Sequence, residues 1–432
     1  MTQVNLITLD PAHFHAALVQ KTMLAQVDKT VHVYGPLTTD LTAHINRIVG
    51  FNTREENPTS WDLEVHAGAD FLDRFAADKP GNVVILSGRN HVKIDYILKA
   101  VELGLNVLAD KPWVLTPEQL PKLQKALDLA DEKGLIIYDL MTERYEITTM
   151  LQKELVNDAD IFGSPVTGSP KDPGVYIESV HFLMKTVAGV PLRRPEWYFD
   201  VDRQGEGLND VGTHLVDLVP WMYFPGEGMS VEKDIKLLAS KRWPTVMTLE
   251  DYQRVSGASA FPDYLQSNIS DNKLNFYCNT AVTYTVRGIH VHLDVRWDFE
   301  AEAGSGDTHL AVFKGSKSRV EIRQGKEQNY RPELYVVPES GTALETDDAI
   351  HKKVTALQAK FPGVSVVKSG DDYHFIIPDK YRVGHEAHFG EVAQQFLRFL
   401  DAPKSLPTWE KPHMLAKYFV TTEGVALSRK SE

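Results

Sequence analysis

The stretch Gly205–Asp217, GEGLNDVGTHLVD, sets Asp210 and His214 four residues apart, with Asp217 three further on. The residues that follow are apolar (Leu215, Val216, Leu218, Val219), so the segment is expected to enter a helix. Positions i and i+4 share a helix face, which would bring a carboxylate and an imidazole to one spot. A carboxylate fixes the tautomer of an imidazole and stabilises its charged form, the usual arrangement of a general acid or base. The same spacing also fits a capping Asp ahead of a buried, satisfied His, and most Asp–His pairs carry no chemistry.

An earlier stretch, Asn82–Lys111, supplies a second set of polar groups. An apolar strand, Val83–Leu86, runs into Ser87, Gly88, Arg89, Asn90 and His91. A helix is expected next, with Ile94, Ile97, Leu98 and Val101 on one face and Gly104 at its end. A second short strand, Asn106–Leu108, leads to Asp110, Lys111 and Pro112. This is a βαβ pattern with polar residues at the carboxyl ends of both strands, where ligands sit in open parallel sheets.

At these residues the chain resembles the Gfo/Idh/MocA family of NAD(P)-dependent sugar and polyol dehydrogenases. The family's EKP motif matches Asp110-Lys111-Pro112, with Asp in place of Glu. Its strand-end NH turn matches Asn90-His91, and its D-x-G-x-H-x-x-D motif matches Asp210, Gly212, His214 and Asp217 in full. The likeness is good over residues 1–225 and looser beyond. It implies NAD or NADP as cofactor and oxidation of a secondary hydroxyl of a sugar or polyol, or reduction of the ketone. It implies His214 as the base, Asp210 as its holder, and Lys111 as the cation that stabilises alkoxide character. It puts Asn90, His91 and Lys111 on the cofactor, and Asp217 with the Arg144-Tyr145 pair on the substrate. Two other readings stay open. One is a resident NAD that drives elimination or glycoside cleavage by transient oxidation. The other is a non-catalytic ligand sensor on the same scaffold.

The first strand is expected at Val4–Thr8, and Asp10-Pro11 reads as a helix start, with Asp at the N-cap and Pro at the first position. If His15 aligns with the His that often follows the family's G-x-G-x-x-G, the glycine positions hold Ile7, Leu9 and Ala12. Glycine there lets the backbone approach a pyrophosphate, and Asp10 would repel one. Either the cofactor docks in a different loop geometry around Thr8, Asp10, Ala12 and His15, using backbone N–H groups, or it no longer binds. His13 and His15 flank Phe14 without an acidic or Cys partner at ligand spacing, so no metal site is assigned.

Further along, Thr116-Pro117-Glu118-Gln119 is a capping box with Pro at N1. Strands alternate with helices to residue 140, which predicts an α/β fold with a Rossmann-like, doubly wound parallel sheet. Residues 141–432 are read as a second, α+β domain for substrate and oligomerisation. Trp197 and Tyr198 stand beside charged residues, a composition that suits a polyhydroxylated ligand as well as an aromatic cluster. Residues 226–275 and 326–380 read as insertions, the first of them as loop. Between them Ile289–Glu300 alternates strictly between apolar and polar residues, the mark of a strand with one wet face. This fits an open, mostly antiparallel sheet, and we expect a dimer or tetramer to form through it. His385 and His388 open a late helix three residues apart, and His385 is a candidate substrate ligand.

The balance of 59 acidic against 46 basic residues, a net charge of −13, argues against nucleic acid and anionic membranes as partners. No leader pattern and no apolar stretch of membrane length is read. Cys278 is the only cysteine, so no internal disulfide can form, and a cytoplasmic location is expected.

Overall fold

Short runs of apolar residues build the central strands of the first sheet, the pattern of strands covered on both faces. A computed structural model describes residues 2–187, 190–191 and 193–430. The chain divides into two compact units. The first comprises Met1–Tyr145, Asp202–Gly205 and Gly384–Tyr418; the second comprises Glu146–Val201, Glu206–Val383 and Phe419–Glu432.

The first unit holds six parallel strands: β1 (Leu6–Leu9), β2 (Thr30–Gly35), β3 (Asp62–Ala67), β4 (Val83–Leu86), β5 (Asn106–Ala109) and β6 (Ile137–Asp139). They lie in the order β3-β2-β1-β4-β5-β6, the Rossmann order, which reverses direction between β1 and β4. Side chains alternate across each strand. Val83 and Ile85 join Leu6, Val31, Val33 and Leu108 on one face. Val84 and Leu86 join Ile7, Leu9, Tyr34 and Val107 on the other. The first face is covered by Leu41 and Ile48, and by Phe389, Val392 and Phe396 from the late helix His385–Asp401. The second is covered by Ile94, Ile97, Val101, Leu123 and Leu127, and by Met414 and Tyr418. The sheet is therefore doubly wound, and its outer layers include residues from the far end of the chain.

The second unit is built on a large sheet. Its strands lie side by side in the order Ile235–Met247, Lys273–Val286, Ile289–Glu300, Val175–Met184, Thr308–Lys314, Ser318–Gln324, Glu333–Pro338, Asp372–Ile376 and Ser365–Ser369. Ile289–Glu300 pairs in parallel with Val175–Met184, and the other neighbours along this path are antiparallel. The predicted alternation holds in Ile289–Glu300. Ile289, Val291, Leu293, Val295 and Trp297 are buried, while Arg296, Asp298 and Glu300 are exposed.

The stretch 226–275, expected as loop, contains the thirteen-residue strand Ile235–Met247. Pro244 and several charges hid it. It is an edge strand, where proline and charge are tolerated, and its register with Lys273–Val286 shifts between Trp243 and Thr245, around the proline. Among the described residues no helix is long and apolar enough to cross a membrane.

Candidate active site

In the first unit the ends of β1, β4 and β5 carry the polar groups. Gly88, with φ +103°, follows β4. A Cβ there would lie 2.6 Å from the His13 backbone nitrogen, so glycine allows the two turns to touch. The helix after β1 spans only His15–Leu18, and Asp10 does not cap it. Asp10 is left-handed (φ +47°) and its N–H donates to Tyr34 O at 2.7 Å. Its Oδ1 accepts from Arg89 at 2.5 Å, and Arg89 also reaches Asp40 at 3.3 Å. The expected helix start at Asp10-Pro11 is thus corrected: the carboxylate and the N–H have stronger partners than a helix N-terminus. Burial raises the Asp10 pKa, against the pull of Arg89.

The other β1-turn residues are similarly placed. Ala12 N–H donates to Asp10 O at 2.8 Å, and His13 N–H to Ser87 O at 3.1 Å. Thr8 is wholly buried within β1, and its hydroxyl points to Gln20 Oε1 at 3.5 Å. Strand alternation turns it into the interior. His15 Nδ1 lies 2.9 Å from Asp110 Oδ2, and its ring packs on Phe389 at 4.4 Å. His13 Nδ1 lies 3.6 Å from the same oxygen, and Ser87 Oγ donates to it at 2.9 Å. The fold thus supplies the acidic partner that the sequence around His13 and His15 lacks. Burial, with His13 alongside, lowers the His15 pKa to about 3. Burial works against an ionised Asp110, but its histidine neighbours and the Lys93 charge hold its carboxyl well below the usual range.

Asn90 begins the helix Asn90–Glu102, and both ends of its amide are engaged. Its Nδ2 donates to Gln204 O at 2.7 Å, and its Oδ1 accepts from Lys93 Nζ at 2.7 Å. His91 lies in the first turn of the same helix, and its carbonyl accepts from Gln119 at 2.9 Å. Lys111 is buried next to the cis peptide it forms with Pro112.

Sequence reading passed over Lys93. Its ammonium has no exposed surface and donates to Asn90 Oδ1, Asp110 O and Pro112 O. The signal was there: position 93 lies on the same helix face as Asn90, Ile94 and Ile97.

Arg144 and Tyr145, expected at the substrate, are held inside the first unit. Arg144 is buried and pairs with Glu410 at 2.8 Å, with its guanidinium over Trp409. A buried guanidinium requires such a carboxylate. Tyr145 packs against the sheet core. The exposed His385 lies 3.5 Å from Glu143, with its ring 6.0 Å from that of His15.

In the second unit, Asp210 occupies the N-cap of the helix Val211–Tyr223, yet its side chain makes no cap hydrogen bond. His214 is buried one turn on, and Asp217 is buried one turn further. Tyr198 Oη lies 3.5 Å from Asp210 Oδ2, beneath the Arg194 guanidinium. Trp197 and Tyr198 are buried in a 3₁₀ turn, Glu196–Phe199, and Tyr198 packs on Phe199 and Phe276. Burial raises the Tyr198 pKa, so it remains a phenol.

Two unpredicted features fix the motif. A Cβ on Gly207 would sit 2.0 Å from Cys278 O, so only glycine lets this loop lie on the strand Lys273–Val286. Glu206, buried, accepts at one oxygen from Arg242 at 2.6 Å and Arg429 at 2.7 Å.

A dinucleotide fits the first unit by its strand order and its switch-point crevice. Asp10 Oδ2 is a buried acceptor with no hydrogen-bond partner among the described residues, suited to a hydroxyl or amide of the ligand. Arg89 is a cation beside this turn, and the N–H groups of Ala12 and His13 are already donated to Asp10 O and Ser87 O.

Residues 151–429 match the family described as "Putative oxidoreductase C terminal domain". The crystal structure of a "putative oxidoreductase" from Parabacteroides merdae is 46% identical, with a TM-score of 0.97, covering 100% of this chain and 98% of that one. A levoglucosan dehydrogenase, in complex with NADH and L-sorbose, has the same fold at 14% identity, with a TM-score of 0.62 over 100% of this chain and 98% of that one. An uncharacterised oxidoreductase of Schizosaccharomyces pombe is 22% identical over 219 residues. Those residues are 50% of this chain and 53% of that one, so the chain spans about half the length of this curated relative.

Proposed function

The chain belongs to the oxidoreductase C-terminal domain family, and from that premise we propose that it is an NAD(P)-dependent enzyme of the Gfo/Idh/MocA type. It oxidises a secondary hydroxyl of a sugar or polyol, or reduces the corresponding ketone. The observation that carries this reading is the helix Val211–Tyr223, which sets Asp210 at its N-cap one turn before a buried His214.

In this reading His214 takes the proton of the substrate hydroxyl. Asp210 orients the ring and favours its charged form. Lys111 hydrogen-bonds the reacting oxygen and stabilises alkoxide character. A bound NAD or NADP supplies the acceptor for hydride from the carbinol carbon. Asn90 acts at one remove, through Lys93, and His91 lies beside it on the cofactor side. Trp197 and Tyr198 form an aromatic wall, and Asp217 and His385 are polar contacts for the hydroxyls. The substrate is a small molecule, and copies of the chain associate through the polar face of the large sheet. The location is cytoplasmic.

His214→Ala tests the assignment. Its turnover falls by about two to four powers of ten, the scale of a lost general base. Near-normal turnover in that variant would remove the mechanism. A ligand sensor on the same scaffold is the second reading, and the spent N–H groups of Ala12 and His13 favour it. Dinucleotide binding separates the two.

A further inference from the structure

Three metal-ligating residues meet at the ends of β1 and β5: His13, His15 and Asp110 each offer one ligand atom, and these lie within 4.8 Å of one another. The carboxylate is 95 residues from His15 in the chain, so the fold alone assembles the set. The two imidazole nitrogens lie 3.6 and 2.9 Å from Asp110 Oδ2. Ligand atoms around a tetrahedral zinc ion stand roughly 3.3 Å apart, given bonds of about 2.0–2.1 Å, and the two spacings bracket that value. Supporting groups already orient the donors. Ser87 Oγ donates to Asp110 Oδ2 at 2.9 Å, and Phe389 packs against the His15 ring. Outer contacts of this kind hold metal ligands in place.

We propose that His13, His15 and Asp110 form a binding site for a divalent transition-metal ion of the zinc class, with three protein ligands and a fourth position open to water or an oxygen ligand. Two imidazoles and a carboxylate favour zinc or cobalt over magnesium or calcium. On binding, each ring carries its proton on Nε2, and the ion replaces the His15–Asp110 hydrogen bond. A second trio, His32, Glu64 and His66, also brings its ligand atoms together. It is more open, with the Glu64 side chain 58% exposed, and serves as the internal control. The proposal stands on these side chains and not on the dehydrogenase reading.

The test is a cobalt(II) titration of the metal-stripped full chain, followed by visible absorbance and reversed by zinc. One cobalt per chain is expected, with the strong visible band of a four-coordinate ion. His13→Ala and Asp110→Asn each weaken cobalt binding by about 100-fold or more, since even outer-contact losses cost about 10–100-fold. His66→Ala leaves the titration unchanged. The His13 side chain is the most exposed of the three residues, at 20%, so His13→Ala keeps the fold, which its thermal melt checks. Three results would overturn the site: no cobalt uptake at micromolar ion, parent affinity in a folded His13→Ala variant, or loss of uptake in His66→Ala.

Discussion

Lys93 Nζ donates to the backbone carbonyl of Asp110 at 2.7 Å from a side chain with no exposed surface. The same ammonium reaches Asn90 Oδ1 and Pro112 O. It ties the start of one helix to the strand end that carries Lys111. Lys93→Met keeps the bulk and removes all three bonds, leaving buried acceptors unsatisfied. The predicted loss is about 2–4 kcal/mol, read by urea unfolding. An unchanged midpoint would show that the ammonium is dispensable to the fold.

The loop before the Asp210 motif predicts a second outcome. Gly207→Ala places a methyl 2.0 Å from Cys278 O, and backbone cannot yield as a flexible side chain does. The variant loses at least about 2 kcal/mol of stability. Its turnover falls with it, because Asp210 and His214 follow within seven residues. Parent-like melting and turnover would show that the loop relaxes freely.

Asp10 predicts an effect on cofactor binding. Its buried Oδ2 is an acceptor awaiting a donor. Asp10→Ala is expected to raise the dinucleotide Kd about tenfold, the value of one hydrogen bond to a charged group. Calorimetry reads it. Tighter binding in the variant would mean that the carboxylate repels the cofactor.

His44 gives a pH dependence. It is buried in the helix Thr39–Thr53, and burial, with Arg47 nearby, lowers its pKa from 6.5 to about 4. The folded state therefore favours the neutral ring. That contribution is fully present above pH 6.5 and is lost as the pH falls toward 4. In His44→Leu the titration is gone. Between pH 7 and 4.5 the variant gains about 2–3 kcal/mol relative to the parent, at about 1.4 kcal/mol per pKa unit. Parallel stability curves would contradict this.

Local pattern made much of the first sheet legible. Val83–Leu86 and Asn106–Leu108 are apolar runs that end in polar turns, and strands buried on both faces leave that trace. Ile289–Glu300 was legible for the opposite reason, since one wet face makes strict alternation. Ile235–Met247 was not, because an edge strand tolerates the charges and proline that signal a loop. The partner of Arg144, Glu410, is 266 residues away and left no trace beside it in the sequence. The His15–Asp110 contact was hidden in the same way. Long-range pairs leave no periodicity, so the candidate residues were readable while their partners were not.

The account turns on a nicotinamide dinucleotide in the first unit. The direct measurement is the mass of any nucleotide released from the purified protein on denaturation, followed by titration with NAD(H) and NADP(H) if nothing is released. The account predicts a released dinucleotide or saturable binding of one of the pairs. No binding of either pair at millimolar concentration would contradict it, and would leave the sensor reading.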